Sequence, residues 1–528
     1  MDYQDALLKQ DFGTLAQLIS AHARHRPLHP ALICGSERLD YRTLDHRVGQ
    51  IAASLKRDHV GRGQVVALCA SASISYAQVF LGALRAGAAV APLAPSSTPD
   101  VLAAMLVDSG ATIVFMDAAS AATLALARTS RALTALPIFS IVSLDGSDAG
   151  IPLDSWLARE PAESDSNEIE IHADDPFNII YSSGTTGTPK GIVQPHGMRW
   201  AQFKRLRYAA DAVTIISTPL YSNTTLVCFL PTLAAGATVV LMPKFDVSEF
   251  LRLSEHHCVT HTMLVPVQYQ RLMAEPSFDD YDLSSYRVKF STSAPFSAEL
   301  KKQVIARWPG GLIELYGMTE GGGSCMLEAH RYPEKLHTVG KPMDGNDIRV
   351  IDEHGVECLT GQAGEIVGRS ASMMVGYLNL PGKTREAEWL SPDGLRFIRT
   401  GDIGRFDSDG FLVLIDRAKD MIISGGFNIY PSDLEAVLVA HPAVEECAVV
   451  GVASTTWGET PVAFVRLRKG SDVDATLLKD FVNSQVGRTQ RITDLLLIDM
   501  LPRSAIGKIL KRDLRQRYEQ QINHRGSS

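Results

Sequence analysis

Between Ser182 and Lys190 the chain packs five hydroxyl side chains, two glycines, a proline and a lysine. The run reads Tyr181-Ser182-Ser183-Gly184-Thr185-Thr186-Gly187-Thr188-Pro189-Lys190-Gly191. Glycine lets backbone approach a ligand closely, while hydroxyls and free N–H groups suit phosphate oxygens. Lysine adds a point charge. An apolar stretch, Pro176-Phe177-Asn178-Ile179-Ile180, leads in and predicts a buried strand. Density and placement favour a phosphate loop over an ordinary polar turn. It is not a Walker A loop, in which Gly-Lys precedes Ser or Thr, because Pro189 precedes Lys190 and Gly191 follows it.

Other groups have the right chemistry for the same task. In Tyr316-Gly317-Met318-Thr319-Glu320, after an apolar strand at 312–315, Glu320 suits a magnesium ion, Thr319 a phosphate oxygen and Tyr316 a base face. Thr400-Gly401-Asp402 offers a carboxylate to a ribose diol. Arg417-Ala418-Lys419-Asp420 is a charged linker, Ser424-Gly425-Gly426 a flexible bend, and Ser504-Ala505-Ile506-Gly507-Lys508 ends on a single lysine. Taken one at a time, each also reads as an ordinary turn or solvated charge.

The elements that must position these residues come from periodicity. Helical spacing at 14–23, 44–55, 76–86 and 101–107 alternates with strands at 64–69, 89–93 and 112–116, and 31–34 with 38–41 reads as a hairpin. Gly87 ends the helix before it. Beyond the loop, strands at 238–241, 261–265 and 312–315 alternate with helices at 247–255 and 298–307. This is the βαβ pattern of parallel sheets, so the fold class is α/β. From Asp347 short alternating runs (348–351, 364–367, 411–415) predict an antiparallel region. A small α+β unit closes the chain, with helices at 434–438 and 475–483 and strands at 446–450, 462–467 and 495–498.

At 528 residues more than one core is expected. The formal charge of −8 gives no general attraction to nucleic acid or anionic membranes. The seven cysteines (34, 69, 228, 258, 325, 358, 447) form no CxxC pair, which fits a reducing, cytoplasmic setting without disulfides or zinc. The start lacks a basic signal-peptide region, and Arg525-Gly526-Ser527-Ser528 is neither a peroxisomal address nor a lipidation box. The uncharged run 212–243 is broken by Pro219, Pro231 and Gly236 and reads as buried core, not a membrane span.

In this order and at these distances the constellations resemble the adenylate-forming superfamily: acyl-CoA synthetases, 4-coumarate–CoA ligases, firefly luciferases and nonribosomal-peptide adenylation domains. The resemblance spans nearly the whole chain, adding Gly87 with Pro92 and Trp457-Gly458-Glu459. It implies a large N-terminal adenylation domain, 1–418, with parallel-rich sheets sandwiched by helices plus a β-barrel-like region. It also implies a small mobile α+β C-terminal domain, 419–528, turning about Lys419. The implied reaction uses ATP, Mg2+ and coenzyme A. A carboxylate attacks the α-phosphate, pyrophosphate leaves, and a thiol then takes the acyl group and releases AMP.

The resemblance implies residue roles as well. Lys508 would bridge carboxylate and α-phosphate, and Glu320 would position Mg2+. Ser182, Ser183, Gly184, Thr185, Thr186, Gly187 and Lys190 would hold the departing phosphates, with Thr185 counted as catalytic beside Lys508 and Glu320. Ser293, Ala294, Pro295, Glu314, Leu315, Tyr316, Gly317, Met318 and Thr319 would form the adenine and phosphate walls. Asp402 would take the ribose, with Arg417 beside it. Ser424, Gly425 and Gly426 would pass the pantetheine arm.

The chain departs from relatives at Tyr221-Ser222, where many carry histidine, and has no aspartate there to pair an α-amino group. Gly321-Gly322-Gly323 either leave room for a bulky acid or ease a turn. Tyr221, Ser222, Phe229, Ser293, Gly322 and Met326 are expected to line the acyl pocket. The expected substrate is an aromatic or medium-to-long aliphatic carboxylic acid. Alternatives are a stand-alone enzyme loading an acyl carrier protein, a luciferase-like monooxygenase and a non-catalytic nucleotide binder. Monomer and homodimer are both compatible.

Overall fold

The computed structural model describes residues 3–129, 140–159, 169–182, 189–417, 420–424, 427–454, 458–487, 490–504 and 507–525. Contacts group the chain into two compact units, Met1–Ile348 with Gly368–Ile398, and Arg349–Val367 with Arg399–Ser528.

The first unit is built on two parallel-rich sheets. One has the spatial order Gly376–Tyr377, Lys190–Pro195, Pro176–Ser182, Ala89–Pro92, Val65–Cys69, Ile113–Met116, Ser140–Ser143, Ile151–Pro152. The other runs Lys341–Pro342, Cys325–Glu328, Gly311–Tyr316, Val288–Ser291, His261–Leu264, Val213–Ile216, Thr238–Leu241, Pro30–Cys34, Glu37–Asp40. Helices Leu15–His25, Tyr41–Arg57, Ile74–Arg85 and Asn223–Ala234 join both sheets in one core, in which Leu18, Val48, Phe80, Leu226 and Phe229 meet Val66, Val90, Leu32 and Val239. Helices Pro99–Ser109 and Ala118–Thr129 cover the opposite face of the first sheet.

Local chemistry accounts for the element ends. Thr14 and Gln17 form a reciprocal capping box, which satisfies two otherwise orphaned N–H groups. Helix Ile74–Arg85 ends before Gly87, whose φ of +77° is the left-handed conformation expected there. The uncharged run resolves into Val213–Ile216, Asn223–Ala234 and Thr238–Leu241. Among the described residues no helix is long and apolar enough to cross a membrane.

A third sheet has the order Asp347–Ile351, Gly364–Arg369, Arg396–Phe406, Glu388–Leu390, with Leu412–Arg417 also on Arg396–Phe406. Among the described residues this antiparallel region is an open sheet; no closed barrel forms. The C-terminal sheet places Gly458–Leu467 between Ile422–Ser424 and Val444–Ser454, and Phe427–Ile429 and Asp494–Leu497 complete it. Helices Pro431–Val439 and Ala475–Gln485 pack one face around Leu434 and Leu478; Lys511–Arg525 packs the other through Leu514 and Tyr518.

Two buried histidines make this fold sensitive to acid. His196 sits edge-on to Phe177 and His261 edge-on to Tyr208. Burial pushes both from 6.5 to about 4. Between those values the unfolded chain binds more protons than the folded one, so stability rises with pH there and is lost on acidification. The loss is on the order of 3 kcal/mol per ring. Urea unfolding at pH 7 and pH 4.5 should show a smaller acid loss in His196→Phe than in the wild type. An unchanged loss would contradict a neutral buried ring.

Candidate active site

The expected phosphate loop closes a hairpin. Strands Pro176–Ser182 and Lys190–Pro195 are antiparallel, with Tyr181 opposite Gly191 and Ser182 opposite Lys190. This separates it from a Walker A loop, which opens a helix. Ser183, Gly184, Thr185, Thr186 and Gly187 lie outside the described residues. The hairpin base is held from outside. Tyr181 donates its hydroxyl to Asp108 Oδ2 at 2.8 Å, and Asn379 Nδ2 donates to Asp108 O at 3.0 Å. A side chain at Gly191 would meet Ile179 Cγ2 at 2.9 Å and would force that neighbour to shift.

One tyrosine, missed in the sequence, joins the loop lysine to the expected metal carboxylate. Tyr377 lies opposite Ile192 on the neighbouring strand. Lys190 Nζ stands 5.2 Å from its ring centroid, and its hydroxyl donates to Glu320 Oε1 at 2.8 Å. Burial and the Glu320 charge push that hydroxyl above the usual tyrosine range, so it stays a donor. Losing a hydrogen bond to a charged group costs about 1.5–3 kcal/mol. On the roles that the resemblance implies, Tyr377→Phe should therefore raise the Mg·ATP concentration needed for half-maximal turnover by about tenfold or more. An unchanged requirement would show that Glu320 holds its place without the tyrosine.

The turn Tyr316-Gly317-Met318-Thr319-Glu320 leaves strand Gly311–Tyr316. Gln194 Nε2 donates to Thr319 O at 2.6 Å, and Met374 N donates to Glu320 O at 2.8 Å. Gly321, Gly322 and Gly323 follow with φ of +82°, +76° and +94°. A Cβ on Gly322 would meet Ile398 Cβ at 2.8 Å and Gly368 O at 3.0 Å, and one on Gly321 would collide with Ser372 O. These left-handed conformations fit the turn that these glycines are expected to ease. The space a side chain would take at Gly322 is already filled.

Glu314 is 5 % exposed, and its carboxylate pairs with Lys301 Nζ. Burial pushes the carboxyl up to about 7, against the pull of the Lys301 charge. Leu315 lies opposite Met326. Thr292 Oγ1 donates to Leu315 O at 2.7 Å, and Ser293 takes a left-handed φ of +79° that a non-glycine residue rarely adopts. Its hydroxyl meets Thr224 Oγ1 at 2.5 Å. Ser293 thereby touches the helix that begins just after Tyr221 and Ser222. Ala294 is half-buried and Pro295 exposed. Phe229 is 1 % exposed and belongs to the main core.

In the second unit Asp402 and Arg417 are register partners, with Arg417 Nε 2.7 Å from Asp402 Oδ1. Thr400 Oγ1 accepts from Asp402 N at 3.1 Å and donates to Ile366 O at 2.8 Å, which fixes the backbone around Gly401; that glycine, with φ +67°, lies inside strand Arg396–Phe406 and not on a separate turn. Ser424 is buried opposite Phe427. Lys419, Gly425 and Gly426 lie outside the described residues. Lys508 is exposed, on a turn held at both ends. Its N–H donates to Ser504 Oγ at 3.2 Å, and Ser504 N donates to Lys508 O at 2.8 Å. Arg503 donates to Gly507 O at 2.7 Å and also pairs with Glu446. The backbone under Lys508 is therefore anchored to strand Val444–Ser454, and the residue itself is exposed.

Chemically, the first unit presents a lysine, a carboxylate and a polar turn linked in one run. Among the described residues no three His, Cys, Asp or Glu side chains cluster as a metal cage. A single oriented carboxylate such as Glu320 fits Mg2+, which usually takes one or two carboxylates and otherwise substrate phosphates.

Comparison with known proteins agrees with this chemistry. The family model for AMP-binding enzymes matches residues 19–378, and that for the AMP-binding enzyme C-terminal domain matches 433–508. The chain is 31 % identical over 522 residues to 4-coumarate–CoA ligase 3 of Oryza sativa subsp. japonica, covering 96 % of this chain and 92 % of the relative. It is 30 % identical over 531 residues to the fatty acid–[acyl-carrier-protein] ligase ScoC of Streptomyces coeruleorubidus, covering 97 % and 98 %. Among solved structures, ATP-bound MatB from Rhodopseudomonas palustris superposes with a TM-score of 0.84 at 29 % identity, covering 95 % and 99 %.

Proposed function

The chain belongs to the AMP-binding enzyme family, and from that premise we propose that it activates an aromatic or medium-to-long aliphatic carboxylic acid. The reaction class is that of an AMP-forming acid–thiol ligase: ATP and the acid give an acyl-adenylate and pyrophosphate, and coenzyme A then takes the acyl group. ATP, Mg2+ and coenzyme A are its co-substrates and metal.

The observation that carries the reading is the run from Lys190 through Tyr377 to Glu320, which couples a loop cation to a metal-type carboxylate. Two anions must meet in the first half-reaction, so catalysis rests on neutralising charge and fixing geometry. Thr185, Thr186 and Lys190, with Ser182, Ser183, Gly184 and Gly187, hold the departing phosphates. Glu320 would hold Mg2+, and the ion would supply charge neutralisation at the phosphates. Tyr316 and Ser293-Ala294-Pro295 enclose the base, and Asp402 with Arg417 holds the ribose. Lys508 bridges carboxylate and α-phosphate. Residues 1–418 act as the adenylation domain and 419–528 as a lid turning at Lys419, which brings Ser424, Gly425 and Gly426 to the acyl group.

The acid class is supported by residues 221–225, which carry no carboxylate to pair an α-amino group, and by the apolar helix Asn223–Ala234 beside Ser293. A carrier-protein thiol is the second reading, favoured by the likeness to the carrier-protein ligase. The enzyme works in the cytoplasm as a monomer or homodimer; its seven free cysteines fit a reducing setting. Pyrophosphate release across a panel of acids, with coenzyme A or a carrier protein, tests the reading. Aromatic or longer aliphatic acids should stimulate release, and release that no acid stimulates would refute it.

A further inference from the structure

Helix His196–Arg205 buries one cation, Arg199, at 1 % exposure. Among the described residues its hydrogen-bond acceptors are all side-chain amide oxygens. NH2 donates to Asn223 Oδ1 at 2.8 Å, to Asn178 Oδ1 at 3.3 Å and to Gln194 Oε1, and NH1 donates to Gln202 Oε1 at 3.1 Å. A guanidinium only donates, so each amide must turn its oxygen toward Arg199 and its NH2 away. That orientation has consequences. Gln194 Nε2 is sent to Thr319 O at 2.6 Å, in the turn that ends on Glu320, and more weakly to Asn223 Oδ1 at 3.4 Å. Gln202 Nε2 is sent to Val227 O at 3.1 Å. Pro231, inside helix Asn223–Ala234, has no N–H for the carbonyl four residues earlier, which is that of Val227. Gln202 thus repairs the helix where its proline breaks the ladder. Asn178 and Gln194 face each other across the hairpin that carries the phosphate loop, and Asn223 opens the helix whose Thr224 meets Ser293.

We propose that Arg199 is a positioning residue that couples the acid-binding helix to the nucleotide turn. It does so by orienting Gln202 and Asn223 on one side and Gln194 on the other. The inference rests on the proposed adenylation site, and it makes the two substrates' affinities separable by mutation. Gln194→Glu keeps an acceptor for Arg199 but loses the donor to Thr319 O and the longer, weaker one to Asn223 Oδ1. Gln202→Glu likewise loses the donor to Val227 O. Arg199→Met loses both relays, and Arg199→Lys restores charge without the fork.

The test combines calorimetric Mg·ATP binding, which needs no acid, with steady-state KM values for the acid. Gln194→Glu should weaken Mg·ATP about tenfold and leave the acid KM within about twofold, and Gln202→Glu should do the reverse. Arg199→Met should move both, with partial recovery in Arg199→Lys. A lower melting temperature in Arg199→Met with both affinities unchanged would overturn the proposal, as would glutamine variants that each shift both constants equally. If Arg199→Met does not fold, the two glutamate variants still decide. If no acid is activated by the wild type, the adenylation reading fails, while the nucleotide arm still tests the link through Gln194.

Discussion

Lys508→Ala should abolish most acyl-adenylate formation while leaving thioester formation from supplied acyl-adenylate nearly intact. In the proposed reaction the first half brings a carboxylate against a phosphate, and Lys508 is the cation proposed to span both. Removing one such preorganised group typically costs about 10²–10³-fold. The second half-reaction displaces AMP from an acyl carbon and builds no charge between two incoming anions, so its rate should fall less than about tenfold. The turn beneath the lysine supports this role. Arg503 ties Gly507 O to Glu446, and Ser504 ties both backbone groups of Lys508, so the alanine variant should keep the turn. Single-turnover assays of each half separate the two steps. Adenylation at wild-type rate in the variant would remove Lys508 from the chemistry.

Lys301→Met should cost about 3–5 kcal/mol of folding stability, the largest structural penalty expected of a single change here. Lys301 and Glu314 side chains are 2 % and 6 % exposed and pair directly. The ammonium also donates to Leu336 O at 2.7 Å and Thr338 O at 3.1 Å. Methionine fills the volume but strands a carboxyl that burial already pushes up to about 7. A carboxyl with a folded pKa above its unfolded 4.5 loses stability as pH rises through that interval. The penalty in Lys301→Met should therefore be larger at pH 8 than at pH 5. Adding Glu314→Leu should recover much of it, since an apolar pair of similar volume removes the stranded charge. Denaturant midpoints of the three variants check this, and equal stability of wild type and Lys301→Met would contradict it.

Much of this was legible in the sequence because it is written in local spacing. Helix Ala298–Arg307 and strand Thr238–Leu241 fall where periodicity puts them, and Asp402 and Arg417 emerge as neighbours. Three kinds of feature were not legible. Helix Asn223–Ala234 is buried nearly all round, its threonines included, and holds Pro231, so it carries neither a stripe nor a clean boundary. Strand Lys190–Pro195 is framed by Gly191 and Pro195, which read as loop punctuation and hid the hairpin. Tyr377 and Arg199 act through partners scattered over the chain, and only folding gathers Asn178, Gln194, Gln202 and Asn223 around one guanidinium. A missed signal did exist at the C-terminus. Leu514 and Tyr518, four residues apart, form the buried side of helix Lys511–Arg525.

The central claim is that the acid's own oxygen attacks the α-phosphorus of ATP. Turnover of a carboxylic acid labelled with oxygen-18 in its carboxylate, with coenzyme A present, reads this directly. The adenylate route predicts AMP carrying one labelled oxygen in its phosphate and pyrophosphate carrying none. Unlabelled AMP, or label in pyrophosphate or phosphate, would contradict it.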